Sequence, residues 1–330
     1  MIQAHLSYPP APDDLAVLQA QLHPDVQLTV GDLPDPAQFE ILVNGRPSPT
    51  DLTASPNLHT VIIPWAGVPE VTAQRLRDFP HLKLHNLHHN APIVAEGMLL
   101  LLLGVARLAV PFDRALRQGD WRPRYQKPAP SLLLAGKTAV ILGYGAIGQR
   151  LAQLCLALGM TVHATRRSLK LPITNYPITE NGITVHPATA LHDLLPQAHA
   201  LLICLPHTPE TDGLLGAAEL ALLPPRAILI NAGRAAIVDE AALYDALASG
   251  QLHGAGLDVW YNYPEDEAAR AKTFPGERPF HQLDNVLLSP HRTGLVAETE
   301  PLRLTALALL LNAAAQGNPL PNAIDLTRGY

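Results

Sequence analysis

Between residues 136 and 290 the chain alternates short apolar runs with longer stretches whose apolar residues recur at helical spacing. TAVILG (138–143), TVHAT (161–165), ALLICLP (200–206), AILINAG (227–233), GAGLDV (254–259) and NVLLSP (285–290) have the length and continuity of strands buried on both faces. AIGQRLAQLCLAL (146–158) reads as an amphipathic helix between two of them. Strands separated by helices imply a parallel sheet covered on both sides, a doubly wound Rossmann-type α/β unit.

The flanking regions read differently. Residues 1–92 suggest a smaller flavodoxin-like α/β unit, with strands at FEILVNG, HTVIIPWAG and LKLHNL. The tail from 296, VAETEPLRLTALALLLNAAAQG, reads as one helix that stops at Gly317 with Pro319 beyond. It has no strand to join in the central unit and is expected to pack on the first one. The expected organisation is therefore 93–295 as a dinucleotide-binding unit inserted in a substrate unit made of 1–92 and 296–330.

Composition narrows the class. Apolar residues make up 48% of the chain and charged ones 16%, which describes a packed globular protein. A formal charge of -6 without a dense basic run gives no footing for nucleic acid. The stretch 98–112, MLLLLLGVARLAVPF, falls short of the ~20 residues a membrane-spanning helix needs and contains Arg107, so it reads as a buried helix. The N-terminus has neither a basic start nor an apolar run, and the two cysteines, Cys155 and Cys204, sit in apolar segments. A cytoplasmic protein without disulfides is expected. No H-E-x-x-H, paired-cysteine spacing or carboxylate cluster marks a metal site, and none is expected.

GYGAIG places Gly143, Gly145 and Gly148 in G-x-G-x-x-G spacing, after a strand at 138–142 and before a helix. That context makes the loop, with Ala146 and Ile147, a dinucleotide pyrophosphate cradle. At the end of the second strand, where a carboxylate ordinarily holds the ribose hydroxyls of NAD, stand Arg166, Arg167 and Ser168. Guanidinium groups and a hydroxyl suit a 2'-phosphate, and the repelling acid is missing, so NADP(H) preference is expected with NAD(H) still possible. The alternative is a pair of solvated arginines beside an NAD site. Three further residues fall at strand ends: Arg234 past the strand at 226–230, Asp258 at the end of the next, and His291 after the last. An arginine that grips a carboxylate and a histidine that moves a proton are what oxidation of a 2-hydroxy acid needs.

The ordered set HNAPIVAEGML with Glu96, RQGDWRP with Trp121, GYGAIG, CLPHTPETDGLL, NAGRAAIVDEAAL, GAGLDVW and DNVLLSPHRTG resembles the D-isomer-specific 2-hydroxyacid dehydrogenase family. That family includes glyoxylate/hydroxypyruvate reductases, phosphoglycerate and D-lactate dehydrogenases and, more distantly, formate dehydrogenase. The resemblance implies that Arg234 binds the substrate carboxylate and that His291 is the acid/base. It implies that backbone N–H groups of Ala66, Gly67 and Val68 cradle the carboxylate, with Trp65 either capping the pocket or simply packing. Asp258 would orient the nicotinamide carboxamide, and Leu205, Pro206, Thr211 and Ala232 would line the cofactor site. The helix at 93–108 and the arm near Trp121 resemble a homodimer contact.

Two positions depart from the family pattern. Tyr263 stands where the family carries a glutamate that favours the histidine's charged form, and Ala235 follows the arginine where glycine is preferred. A hydrogen bond from the Tyr263 hydroxyl to His291, replacement by Glu265, or simple space-filling by Tyr263 are all open on sequence. So are two other functions: a formate- or phosphite-like dehydrogenase, and a nucleotide-binding regulator with weak catalysis. His88 and His89 read as loop polarity or a substrate contact, and His207 as structural.

Overall fold

A computed structural model describes residues 1–167 and 178–326. In chain order the strands are β1 Ile2–Leu6, β2 Val26–Val30, β3 Ile41–Val43, β4 Thr60–Ile63, β5 Lys83–Asn86, β6 Thr138–Leu142, β7 Thr161–Arg166, β8 Ile178–Glu180, β9 Ile183–Pro187, β10 Ala200–Ile203, β11 Ala227–Asn231, β12 Leu252–Leu257, β13 Val286–Leu288 and β14 Ala323–Ile324. They form two sheets, and the chain divides into two units: residues 1–90 with 295–330, and residues 91–294.

The first unit holds the sheet in the order β14-β5-β4-β3-β1-β2, parallel except for β14 on β5. Without β14 this is the flavodoxin-like order. β1 and β2 escape the sequence pattern because neither is an apolar run. IQAHL carries the buried His5, whose Nδ1 meets the Thr29 hydroxyl at 3.0 Å, and VQLTV has no fully buried position. The tail helix Thr299–Ala315 packs on this unit: Leu304, Leu307 and Leu311 share a core with Leu6, Leu18 and Val43.

The second unit has the order β13-β12-β11-β10-β6-β7-β9-β8, parallel except for β8 on β9. From β9 to β12 this is the doubly wound Rossmann order, with the reversal at β6/β10. β6, β10 and β11 are almost wholly buried because helices cover both faces. One covering helix, Ala91–Ala106, buries Met98, Leu101, Leu102 and Val105 against the sheet but leaves Leu100 and Leu103 exposed. The stretch 98–112 that looked most membrane-like is thus not one buried helix: its first part belongs to this core helix, and its last residues open a second helix, Ala109–Arg117, bent by 64° and without a buried residue. No single helix among the described residues is long and apolar enough to cross a membrane.

Candidate active site

The glycine loop takes its shape from close packing at the switch point of the second sheet. Gly143 has φ of +100°, and a Cβ at Gly148 would lie 2.0 Å from the Gly143 carbonyl oxygen. Only glycine lets the helix Ala146–Ala157 come that close to β6. Gly145 is the opposite case: a Cβ there would meet nothing within 4 Å, and no side chain caps the helix that it opens. Open space beside unclaimed N–H groups at a helix N-terminus fits a dinucleotide pyrophosphate. Ala146 and Ile147 form the first turn of that helix.

Around this loop the remaining cofactor candidates divide into two groups. Leu205 packs against the core, Ala232 follows β11, and the Leu205 carbonyl runs so close to Gly233 that a Cβ there would approach within 2.7 Å. The Thr211 hydroxyl, however, is engaged in its own loop: it donates to the Pro206 carbonyl (2.8 Å) and accepts from the Thr208 N–H (2.8 Å). His207 meets Asp212 at 2.8 Å in the same loop. Arg166 ends β7, and Arg167 is exposed with Nη2 3.6 Å from Glu210 Oε1. Ser168 lies outside the described residues.

His291 sits on a turn after β13, with a left-handed φ of +56°. A side-chain-bearing residue adopts that conformation only when its surroundings impose it. Here Asp258, 2% exposed at the end of β12, does so. Its Oδ1 accepts from Ser289 Oγ (2.5 Å), the Arg292 N–H (2.8 Å) and the Thr293 N–H (3.2 Å), and its Oδ2 accepts from Thr293 Oγ1. One buried carboxylate therefore ties both sides of the turn. Trp260 adds a bond from Nε1 to the Ser289 carbonyl at 2.8 Å.

Tyr263 Oη lies 2.9 Å from His291 Nδ1. Tyr263, and not Glu265, thus occupies the place opposite the imidazole. The same Oη accepts the Trp260 N–H at 3.2 Å, and as both donor and acceptor it can pair with Nδ1 in either protonation state of that nitrogen. Surrounding protein mass withholds solvent from the ring and lowers the His291 pKa from its ordinary value. The Asp258 carboxylate opposes this shift, and the Arg234 charge adds to it. Burial also raises the Tyr263 hydroxyl, against the Trp260 N–H and the Arg234 charge. Tyr263 therefore orients His291 while bringing no negative charge to it.

Arg234 follows β11 and is exposed, with Nη1 donating to the Gly233 carbonyl at 2.7 Å. Its loop is held by Asn231, 2% exposed, which accepts the Gly233 N–H (3.0 Å) and donates to the Arg234 carbonyl (3.0 Å). Ala235 is buried at the start of a short 3-10 turn.

In the first unit, loop 65–68 follows β4. Trp65 lies over Gly45, where a Cβ would come within 1.9 Å of the indole, so the ring packs as well as showing a 37% exposed face. Asn86 Nδ2 holds the Ala66 carbonyl at 2.5 Å. The N–H groups of Ala66, Gly67 and Val68 meet no acceptor among the described residues, which leaves them available to an oxyanion. Nearby, burial, abetted by the Arg303 charge, pushes His89 down to about 4 against the pull of Glu300. His88 is exposed.

Asn231, Ser289, Thr293, Asn86 and Gly45 were not singled out from the sequence. Their signal, short polar residues or glycine beside a strand end, is too common to stand out. Among the described residues no group of three or more His, Cys, Asp or Glu is placed to hold a metal ion.

Comparison with known proteins places this geometry. Glyoxylate reductase of Aeropyrum pernix is 37% identical over 236 residues, 70% of this chain and 65% of that one. D-3-phosphoglycerate dehydrogenase of Escherichia coli is 34% identical over 236 residues, 71% of this chain and 52% of that one. The chain thus spans between about half and two thirds of the length of these curated relatives. A D-isomer specific 2-hydroxyacid dehydrogenase from Xanthobacter autotrophicus Py2, solved with NADPH and MES, superposes with a TM-score of 0.80 at 28% identity, covering 100% of this chain and 99% of that one. The profile of the D-isomer specific 2-hydroxyacid dehydrogenase NAD binding domain matches residues 99–293, and the chain belongs to the D-isomer specific 2-hydroxyacid dehydrogenase family.

Proposed function

We propose that the protein is an NADP(H)-preferring enzyme that interconverts a 2-keto acid and a D-2-hydroxy acid, working chiefly as a reductase on small acids such as glyoxylate, hydroxypyruvate or pyruvate. The observation that carries this reading is His291, fixed by Asp258 and Tyr263 with Nδ1 engaged, Nε2 left for proton transfer and the Arg234 charge close enough to act on it.

The residues divide the work. Arg234 binds the carboxylate in bidentate fashion. The imidazolium of His291 gives its Nε2 proton to the ketone oxygen as charge develops there, which leaves a neutral ring with its proton on Nδ1, and that ring takes the proton back on Nε2 in oxidation. When bound, the nicotinamide supplies or receives the hydride. In the imidazolium state His291 Nδ1–H donates to Tyr263 Oη, whose proton then rotates away. Tyrosine thereby accommodates both states of the ring without the charge that would favour the protonated one.

Cofactor preference rests on Arg166 and Arg167 at the end of β7, where an acid would repel a 2'-phosphate. Glu210 has to release Arg167 for both arginines to engage. NADPH in the related Xanthobacter autotrophicus enzyme supports the same choice. The test is oxidation of NADPH and NADH in parallel with glyoxylate, hydroxypyruvate and pyruvate. Faster turnover with NADPH is expected; NADH preference would overturn the phosphate reading. Exposed Leu100, Leu103, Leu116 and Trp121 support a homodimer built on the helix Ala91–Ala106 and the arm that follows it.

A further inference from the structure

The second unit carries a basic cavity at the strand ends opposite the glycine loop. The cavity measures about 180 Å³, the share of about six liquid waters, and opens at the N-terminal ends of β6, β10 and β11. The glycine loop lies at the C-terminal end of β6. Leu132, Leu134, Pro225 and Ile228 make the cavity apolar on one side, while Lys137, His199 and Arg226 supply every ionisable side chain in its lining. No carboxylate is among the described residues that line it. In a chain of net charge -6 that is a local reversal of sign.

Each of the three is held ready to donate. His199 Nδ1 accepts the Thr138 N–H at 3.3 Å, which fixes the ring proton on Nε2 and makes that nitrogen a donor. Arg226 has a left-handed backbone, φ +64°, where glycine is the usual choice. Its N–H reaches the Gln251 carbonyl at 3.0 Å, and its Nη2 donates to the Pro130 carbonyl, which pins the guanidinium at the rim. Its Nε and Nη1, like Lys137 Nζ, have no partner among the described residues. A pinned arginine, a lysine and a tautomer-fixed histidine converging without an acid are complementary to an oxyanion. The apolar side suits a short organic body attached to it.

We propose that this cavity is a second ligand site that binds a small organic oxyanion, a phosphomonoester or a carboxylate, independently of the catalytic residues. Because Lys137 and Thr138 open the same strand that delivers Gly143, occupancy also stiffens the base of the cofactor loop, and the ligand raises the melting temperature by linkage.

The test is calorimetric titration of inorganic phosphate, glycerol phosphate and succinate into the full chain with its nicotinamide cofactor in excess, so that the glycine loop is filled. One site per chain is expected for at least one probe. Its affinity should fall about tenfold in Lys137→Met and in Arg226→Gly, the latter keeping a backbone that glycine adopts readily, and should be unchanged in Arg234→Ala. Glycerol phosphate binding more tightly than phosphate identifies a phosphomonoester site; succinate binding most tightly identifies a carboxylate site. Absence of binding by all three probes, equal affinity in both cavity variants, or loss in Arg234→Ala would overturn the proposal. Thermal melts establish that each variant is folded before it is titrated.

Discussion

The two candidate loops of the second unit are built by opposite means. The loop at 143–148 is shaped by what is missing: no Cβ at Gly148, where one would strike the Gly143 carbonyl oxygen at 2.0 Å, and nothing above Gly145. The turn carrying His291 is shaped by what is present: a buried carboxylate from β12, hydroxyls from Ser289 and Thr293, and a tyrosine five residues beyond Asp258. A loop made by absence leaves its N–H groups open to phosphate. A turn made by side-chain bonds can be tuned one bond at a time, so evolution can change its acid/base behaviour and leave the fold alone.

Substitutions should separate the two designs. The largest effect is expected from His291→Asn, which removes the proton donor: keto-acid reduction should fall by about 10²- to 10⁴-fold with cofactor affinity retained, as measured by steady-state rates beside a cofactor titration. Loss of cofactor binding in that variant would mean that the turn and the glycine loop are not separable. Gly148→Val should do the reverse. Its side chain cannot fit, and cofactor affinity should weaken by about 100-fold or more in a fluorescence titration.

Asp258→Asn comes next. An amide keeps one acceptor oxygen but puts an NH2 group where Oδ2 accepts from Thr293 Oγ1, so the turn loses about 1–3 kcal/mol of support. kcat should drop by about tenfold or more while the glycine loop still takes up cofactor. A variant with unchanged kcat would show that the turn holds itself.

The smallest effect sharpens the role of Tyr263. Because burial lowers the His291 pKa, the protonated ring that reduction needs is lost at lower pH than an ordinary histidine would allow. Placing a carboxylate opposite Nδ1 in Tyr263→Glu favours imidazolium and raises that pKa, so the alkaline fall of the reduction profile should move to higher pH. Tyr263→Phe, which only removes a neutral hydrogen bond, should cost a few-fold in kcat with a smaller displacement of the profile. If both variants share the wild-type profile, Tyr263 does not act on His291.

Much of this site was legible before folding was considered. GYGAIG sits between a run of strand length and a helix, and Arg234, Asp258 and His291 each follow an apolar run, so their placement at strand ends could be read directly. Asp258 was legible in position, but the bonds its oxygens make to the His291 turn were not. Thr211 is similar: its hydroxyl closes its own loop. β1 and β2 were illegible because their polar residues pair with each other, His5 with Thr29, and a pairing across 24 residues leaves no local periodicity.

The sequence by itself determined the two-unit α/β organisation, the family and the candidates for the reacting groups. Each of these depends on local patterns, apolar runs, glycine spacing and residue type, that neighbours in the chain express together. Only the tertiary structure decided that Tyr263 and not Glu265 faces His291, that Asp258 fixes a left-handed histidine, and that Lys137, His199 and Arg226 share one cavity. Those are meetings of side chains from separate strands, and their geometry exists only once the sheet has brought the strand ends together.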